Sequence, residues 1–176
     1  MKVRRVVTGQ VDGGKSVFVS DELVEPVTLA MLPGAEFHRL WGADETTKLP
    51  TDGTPTPQHT YFPPAEGFRW GFFTLPPESI AAPENIDFEA ALKEAQEKLP
   101  GMAEHMEPDH PGMHTTDSVD FEVILSGEVV LELDDGAEVV LKAGDTVVQN
   151  GTRHAWHNRG DVPVVIAVGI IGAHRG

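Results

Sequence analysis

The chain has no cysteine. That absence excludes a disulfide framework, a thiolate metal site and a cysteine nucleophile. No apolar run approaches the roughly 18 residues that a membrane-crossing helix needs. The opening stretch MKVRRVVTGQVDGG carries basic residues but only Val6–Val7 as apolar follow-up. No signal peptide is expected from it, and a cytoplasmic home fits. Neither GxGxxG nor a P-loop occurs, so no nucleotide cofactor is expected. GxSxG is also missing, which leaves no nucleophile elbow for acyl transfer. Basic residues are scarce, 13 against 28 acidic ones, for a net charge of −15. Such a surface repels phosphate backbones and anionic membranes, so neither nucleic acid nor membrane is an expected partner.

What is present fits one globular domain over residues 1–176, with 40% apolar residues. Short runs rich in Val, Ile and Leu, each stopped by a turn signal, fill the last third. Phe121–Leu125, Val129–Leu133, Val139–Leu141, Thr146–Gln149, Ala155–Asn158 and Val164–Ile171 read as strands. Asp134-Asp135-Gly136 is a strong hairpin signal among them. Val3–Thr8, Ser16–Ser20, Val27–Leu32, Glu36–Trp41 and Gly67–Leu75 extend the pattern toward the N-terminus. Gly42–Thr60 is too rich in proline and polar residues for regular structure. One helix is expected over Phe88–Leu99, capped by Asp87. Its stripe Phe88, Leu92, Ala95 and Leu99 would pack on the outside of the strands. The class expected is therefore all-β, with residues 1–100 as N-terminal strands, loop and helix. Residues 101–176 form the motif-bearing core.

Two stretches carry the chemistry, HTTDSVDFEVILSGE (114–128) and GDTVVQNGTRHAWHN (144–158). In an extended strand, residues two apart share a face. His114, Thr116, Ser118, Asp120 and Glu122 therefore share one face if no bulge intervenes. His154, Trp156 and Asn158 share a face in the second stretch, with His157 opposite. Polar groups inside a small barrel are costly unless they act. Two imidazoles and one carboxylate are a donor set for a divalent transition metal with open positions, Fe(II) or Zn(II). His114, Asp120 and His154 are the expected ligands, with His110 as a possible loop-borne addition. Asp is short, so Asp120 would alternatively orient a histidine by hydrogen bonding. Glu122, buried beside a like charge, would suit general acid/base work, with Asp120 as its catalytic neighbour. A bulge that turned Glu122 to solvent would remove that role. Thr116, Trp156 and His38 are expected to line a small-molecule pocket. Arg69 and Arg153 are the arginines placed to hold a substrate carboxylate, if they are not plain surface charges.

The two stretches resemble the paired motifs of the cupin superfamily. Gly127 fixes the register of the first: Asp120 stands in the Glu place, His114 in the first His place and Thr116 in the second. In the second, Gly144, Gly151, His154 and Asn158 match, while Gln149 stands where Pro is usual. The run QNGTRHAWHN resembles small stand-alone cupins carrying Gln-x-Gly-Thr-x-His-Ala-Trp. The resemblance implies a double-stranded β-helix (jelly-roll) barrel with an N-terminal strand extension and one outer helix. It also implies a homodimer that exchanges N-terminal strands. The functions that follow are a metal-dependent oxygenase of the non-haem Fe(II) type, a metal-dependent lyase (decarboxylase or dehydratase), or a non-catalytic ligand-binding barrel.

Overall fold

A computed structural model describes residues 1–80 and 85–176. Ten strands and one helix follow in order: β1 (Val3–Val11), β2 (Lys15–Val24), β3 (Glu36–Ala43), β4 (Phe68–Leu75), α1 (Phe88–Lys98), β5 (Ser118–Ser126), β6 (Glu128–Glu132), β7 (Glu138–Lys142), β8 (Thr146–Asn150), β9 (Ala155–His157) and β10 (Val164–Gly172). β1 and β2 form a separate hairpin. A five-stranded antiparallel sheet runs β3-β4-β10-β5-β8, and a three-stranded sheet runs β7-β6-β9. The two sheets of the jelly roll close over a core of Ile124, Val129, Leu131, Leu141, Val164 and Ile166.

Turn chemistry sets this topology. Gly127 turns β5 into β6 at φ 81°, and a Cβ there would meet Val164 Cγ2 at 2.8 Å. Only glycine serves both demands. Asp135 takes φ 58° in the tight turn between β6 and β7, a left-handed position that Asp tolerates.

Two expectations are corrected. Val27–Leu32 is not a strand: only Val27 bridges Phe37, and a turn follows. Leu29 and Met31 pack against the helix instead. Asp87 does cap α1, accepting from the Ala90 N–H at 3.1 Å. However, the buried helix face is Ala91, Ala95 and Leu99, while Phe88 and Leu92 are exposed. Leu99 meets Phe37, Leu29 and Met102, so small alanines let the helix lie close to the chain beneath.

β5 inverts the usual pattern of a strand. Its polar residues Ser118, Asp120 and Glu122 are buried, and its apolar residues Phe121, Val123 and Leu125 are exposed. Cross-strand neighbours extend that outer face: Trp70 on β4, Val148 on β8 and Ile171 on β10 are also exposed. The hairpin adds Phe18, 80% exposed, and Leu23. No described helix is long and apolar enough to cross a membrane.

Candidate active site

The inner face of β5 is built by register. Asp120 lies between Ile170 on β10 and Gln149 on β8. Glu122 lies between Val168 and Val147. No bulge occurs in this part of β5, so Glu122 turns inward as strand parity requires. One oxygen of each carboxylate, Asp120 Oδ1 and Glu122 Oε2, is buried and finds no hydrogen-bond partner among the described residues. The same holds for Gln149 Nε2 beside Asp120. Burial pushes the Asp120 carboxyl up to about 6, opposed by the Ser118 hydroxyl. Burial, and then the Asp120 charge, push Glu122 up to about 8. At neutral pH this pair holds a proton, so one group can donate while the other accepts.

A second cluster lies at the junction of the two sheets. His114 precedes β5 and exchanges both backbone hydrogen bonds with His154, at 2.9 and 3.0 Å. Their rings meet with centroids 4.2 Å apart. His114 Nδ1 faces the Gly112 carbonyl and His154 Nδ1 the Thr152 carbonyl, each at 3.0 Å. A carbonyl only accepts, so each Nδ1 carries the hydrogen and each Nε2 keeps its lone pair. Burial lowers the His114 pKa. Burial and the neighbouring His114 lower His154 to about 4. Both rings are therefore neutral acceptors at pH 7. Trp156 stands edge-on to His154 with centroids 6.2 Å apart, and Phe62 stacks on His114 at 6.0 Å.

The structure brings His114 and His154 together but does not join Asp120 to them. Among the described residues, no three His, Asp or Glu side chains gather closely enough to hold a metal ion. The reason is local. Residues 115–117 leave the extended path, so His114 is not on β5 with Asp120. β8 and β9 also belong to different sheets, which separates Gln149, the partner of Asp120, from His154. The three-donor set does not fit this geometry. His110 does not supply the missing donor, for it sits exposed in a turn. Thr116 is buried, and its hydroxyl accepts from Ser118 Oγ at 2.8 Å.

His38 is buried with both ring nitrogens unpartnered among the described residues. Its row across the sheet is Phe72, Ala167 and Val123. That is the opposite face from Asp120 and Glu122; His38 lines a small pocket there with Trp70 and Phe72, apart from the carboxylate pair. Arg153 is taken by Glu107, held through two contacts of 2.7 Å, and by Asp134. Arg69 is taken by Asp44 and by backbone carbonyls. Asn158 is spent on structure: its amide donates to the Leu75 and Val162 carbonyls.

Sequence reasoning missed Arg39, Tyr61 and Gln58, which line a small, partly open pocket of about 30 Å³ together with His38, Trp70 and Phe72. Arg39 sits on the inner face in register with Gly71. A bulge just beyond it, between Arg39 and Trp41, hides that placement from simple alternation. Burial and the Arg69 charge lower the Arg39 pKa. Burial pushes Tyr61 up to about 12, and it feels both the Arg39 and the Asp120 charge. Tyr61 shares the pocket wall with Arg39.

Comparison with known proteins places these features. The cupin domain model matches residues 102–170. The chain is 31% identical over 146 residues to "Oryzines biosynthesis cluster protein J" from Aspergillus oryzae, covering 74% of this chain and 80% of that protein. It is 53% identical over 47 residues to "Phomopsin biosynthesis cluster protein C'" from Diaporthe leptostromiformis. That match covers 27% of this chain and 25% of the relative, so the chain spans about a quarter of that protein's length. Over 46 residues it is 39% identical to the "Cupin-domain-containing oxidoreductase virC" of Hypocrea virens, covering 26% of this chain and 24% of that protein.

Proposed function

The chain belongs to the cupin superfamily, and from that premise we propose that it is an enzyme acting on a small organic molecule inside the barrel by proton transfer. The reaction class is that of a lyase of the dehydratase kind: Asp120, as the base, removes a proton from the carbon next to a carbonyl, and Glu122, as general acid, protonates the hydroxyl that leaves the adjacent carbon as water when the C–O bond breaks and the C=C bond forms. One observation carries this reading: two adjacent carboxylates are buried on the inner face with unpartnered oxygens. A fold gains nothing from such a pair, since each buried and unsatisfied group costs roughly 1–3 kcal/mol or more. Pairs whose environments raise a carboxyl toward neutrality are what acid/base catalysis uses. The neutral His114–His154 pair adds two acceptors at the sheet junction, where a substrate hydroxyl or carbonyl hydrate would be oriented. Relatives named for biosynthesis clusters support a substrate of natural-product type.

Deuterium incorporation tests this. A panel of small oxo-acids is incubated with the protein in D2O and read by mass spectrometry. Protein-dependent incorporation at carbon next to a carbonyl is expected, and its loss in Glu122→Gln. Equal incorporation by the wild type and Glu122→Gln would overturn the role of Glu122.

A second reading is an oxidoreductase, the class named for the Hypocrea virens relative. The free Nε2 lone pairs of His114 and His154 favour it, as two metal donors already held in the right tautomer. It requires a third donor that the geometry described above does not bring to them. Metal content of the purified protein, with substrate-dependent O2 uptake, separates the two readings.

We also propose a homodimer. The exposed apolar outer face of the five-stranded sheet and the apolar residues of the β1–β2 hairpin support a second copy as the occupant. A lone two-stranded hairpin is marginal in water and gains stability by packing on another sheet.

A further inference from the structure

We infer that Thr116 and Ser118 form a hydroxyl relay that carries protons between Asp120 and a solvent-open pocket beside the start of β5. This rests on the proton-transfer reading above and deepens it, by giving the buried base a path to water. Asp120 and Glu122 are only 4% and 5% exposed. A base so placed, once it has taken a proton from carbon, needs a route for passing it on. Ser118, Asp120 and Glu122 follow one another along the inner face of β5. Thr116 lies just before the strand, where the chain leaves the extended path, yet its Oγ1 is 2.8 Å from Ser118 Oγ. Thr116 and Ser118 are buried as well, and both line a partly open pocket of about 450 Å³. Its other walls come from residues 60–65, 101–105 and 173–175. The two hydroxyl residues therefore stand between that pocket and the carboxylate pair.

A hydroxyl has one hydrogen and two lone pairs, so it can accept on one side and donate on the other. Ser118 donates to Thr116, and Thr116 donates to no other described residue. The Thr116 hydrogen is thus free for the pocket. The same Ser118 hydroxyl opposes the rise of the Asp120 carboxyl, as a donor to a carboxylate does. Ser118 therefore has one hydrogen and two acceptors, Thr116 Oγ1 toward the pocket and Asp120 toward the barrel. Rotation of the hydroxyl switches it between them. Inward, a water in the pocket gives a proton to Thr116 Oγ1, Thr116 passes its own to Ser118 Oγ, and Ser118 passes its own to Asp120. Each hydroxyl loses one hydrogen and gains one, and the net change is one proton moved from the pocket to the carboxylate. The reverse sequence releases the proton that Asp120 has taken from carbon. His105 offers it a receptor at the pocket wall: its Nδ1 donates to the Thr115 carbonyl at 3.0 Å, which leaves Nε2 as an acceptor.

Stopped-flow infrared spectroscopy tests the relay without any substrate. The protonated Glu122 carboxyl, identified by the loss of its C=O band in Glu122→Gln, is mixed into D2O at neutral pH, and the shift of the band on deuteration is timed. Its proton exchanges through Asp120 beside it. Thr116→Val and Ser118→Ala are each expected to slow the exchange by about tenfold or more. Thr116→Ser restores the hydroxyl and is expected to keep the wild-type rate. A variant that merely loosened the barrel would exchange faster, so slowing separates a lost path from a lost fold. Exchange in both Thr116→Val and Ser118→Ala as fast as in the wild type would overturn the relay. Equal slowing by Thr116→Ser and Thr116→Val would overturn it as well, because packing and not the hydroxyl would then set the rate. If exchange slows as expected while the wild type incorporates deuterium into no oxo-acid, the relay stands and the proton-transfer reading fails. If incorporation depends on Glu122 while exchange ignores both hydroxyls, the relay is wrong and that reading survives. A wild type with no protonated Glu122 band at neutral pH would overturn both.

Discussion

Asp120 and Glu122 project from the same face of β5 into the barrel, and each leaves one oxygen without a partner among the described residues. The residues between and beyond them, Phe121 and Val123, are exposed. The strand therefore buries what water would welcome and exposes what water excludes. Two proposals account for that inversion: an inner face that takes a reacting molecule, and an outer face that packs on a second copy of the chain.

The carboxylate pair makes stability depend on pH in a defined direction. Glu122 has a folded pKa near 8 against an ordinary value of 4.5. The folded state then binds more protons than the unfolded one between those values. Stability from the neutral carboxyl is complete below about 4.5 and is lost as pH rises through 8. Asp120 acts in the same sense between 3.8 and about 6. Glu122→Gln, neutral throughout, is expected to gain about 2–4 kcal/mol relative to wild type between pH 4.5 and 8.5. Urea denaturation midpoints at the two pH values measure it. An unchanged difference would place Glu122 in water.

The histidine pair is expected to respond to zinc without the carboxylates. Nitrogen-15 NMR in metal-free buffer is expected to show His114 and His154 as Nδ1–H tautomers, because each Nδ1 faces a carbonyl. Added zinc is expected to shift both Nε2 signals and to leave the Asp120 and Glu122 side-chain carbons in place. Movement of Asp120 together with both histidines would show that the three donors gather around an ion, and would restore the metal-centred reading.

Part of this site was legible before any coordinates. Strand parity alone turned Asp120 and Glu122 inward, and the glycine at 127 fixed their register. The motif at 151–158 put His154 beside His114. Three things were not legible. The break at residues 115–117 takes His114 off the strand, and local sequence does not reveal a chain that changes sheets. His38 lies on the far face because its row is set by partners on β4 and β10, distant in sequence. Arg39 is placed by that same register, and its lack of a carboxylate partner emerges only when every other arginine is paired in space. Arg69 and Arg153, the arginines that sequence offered, turned out to be satisfied by Asp44 and by Glu107 with Asp134.

The proposed homodimer is tested at Phe18 and Phe121, 80% and 49% exposed. Light scattering on the wild type is expected to give twice the 19.1 kDa chain mass. Phe18→Ser combined with Phe121→Ser is expected to shift the protein to the monomer mass with the far-ultraviolet circular dichroism unchanged. A wild type that is monomeric at high micromolar concentration would contradict the proposal.

The acid/base reading is tested most directly by carbon-13 NMR of the Glu122 side-chain carboxyl through a pH titration, assigned with Glu122→Gln. A midpoint near 8, falling when Asp120 is replaced by Asn because the neighbouring charge is gone, is the expected result. A midpoint near the ordinary 4.5 would mean that Glu122 is ionised and solvated at neutral pH, and the barrel would have no buried acid with which to work.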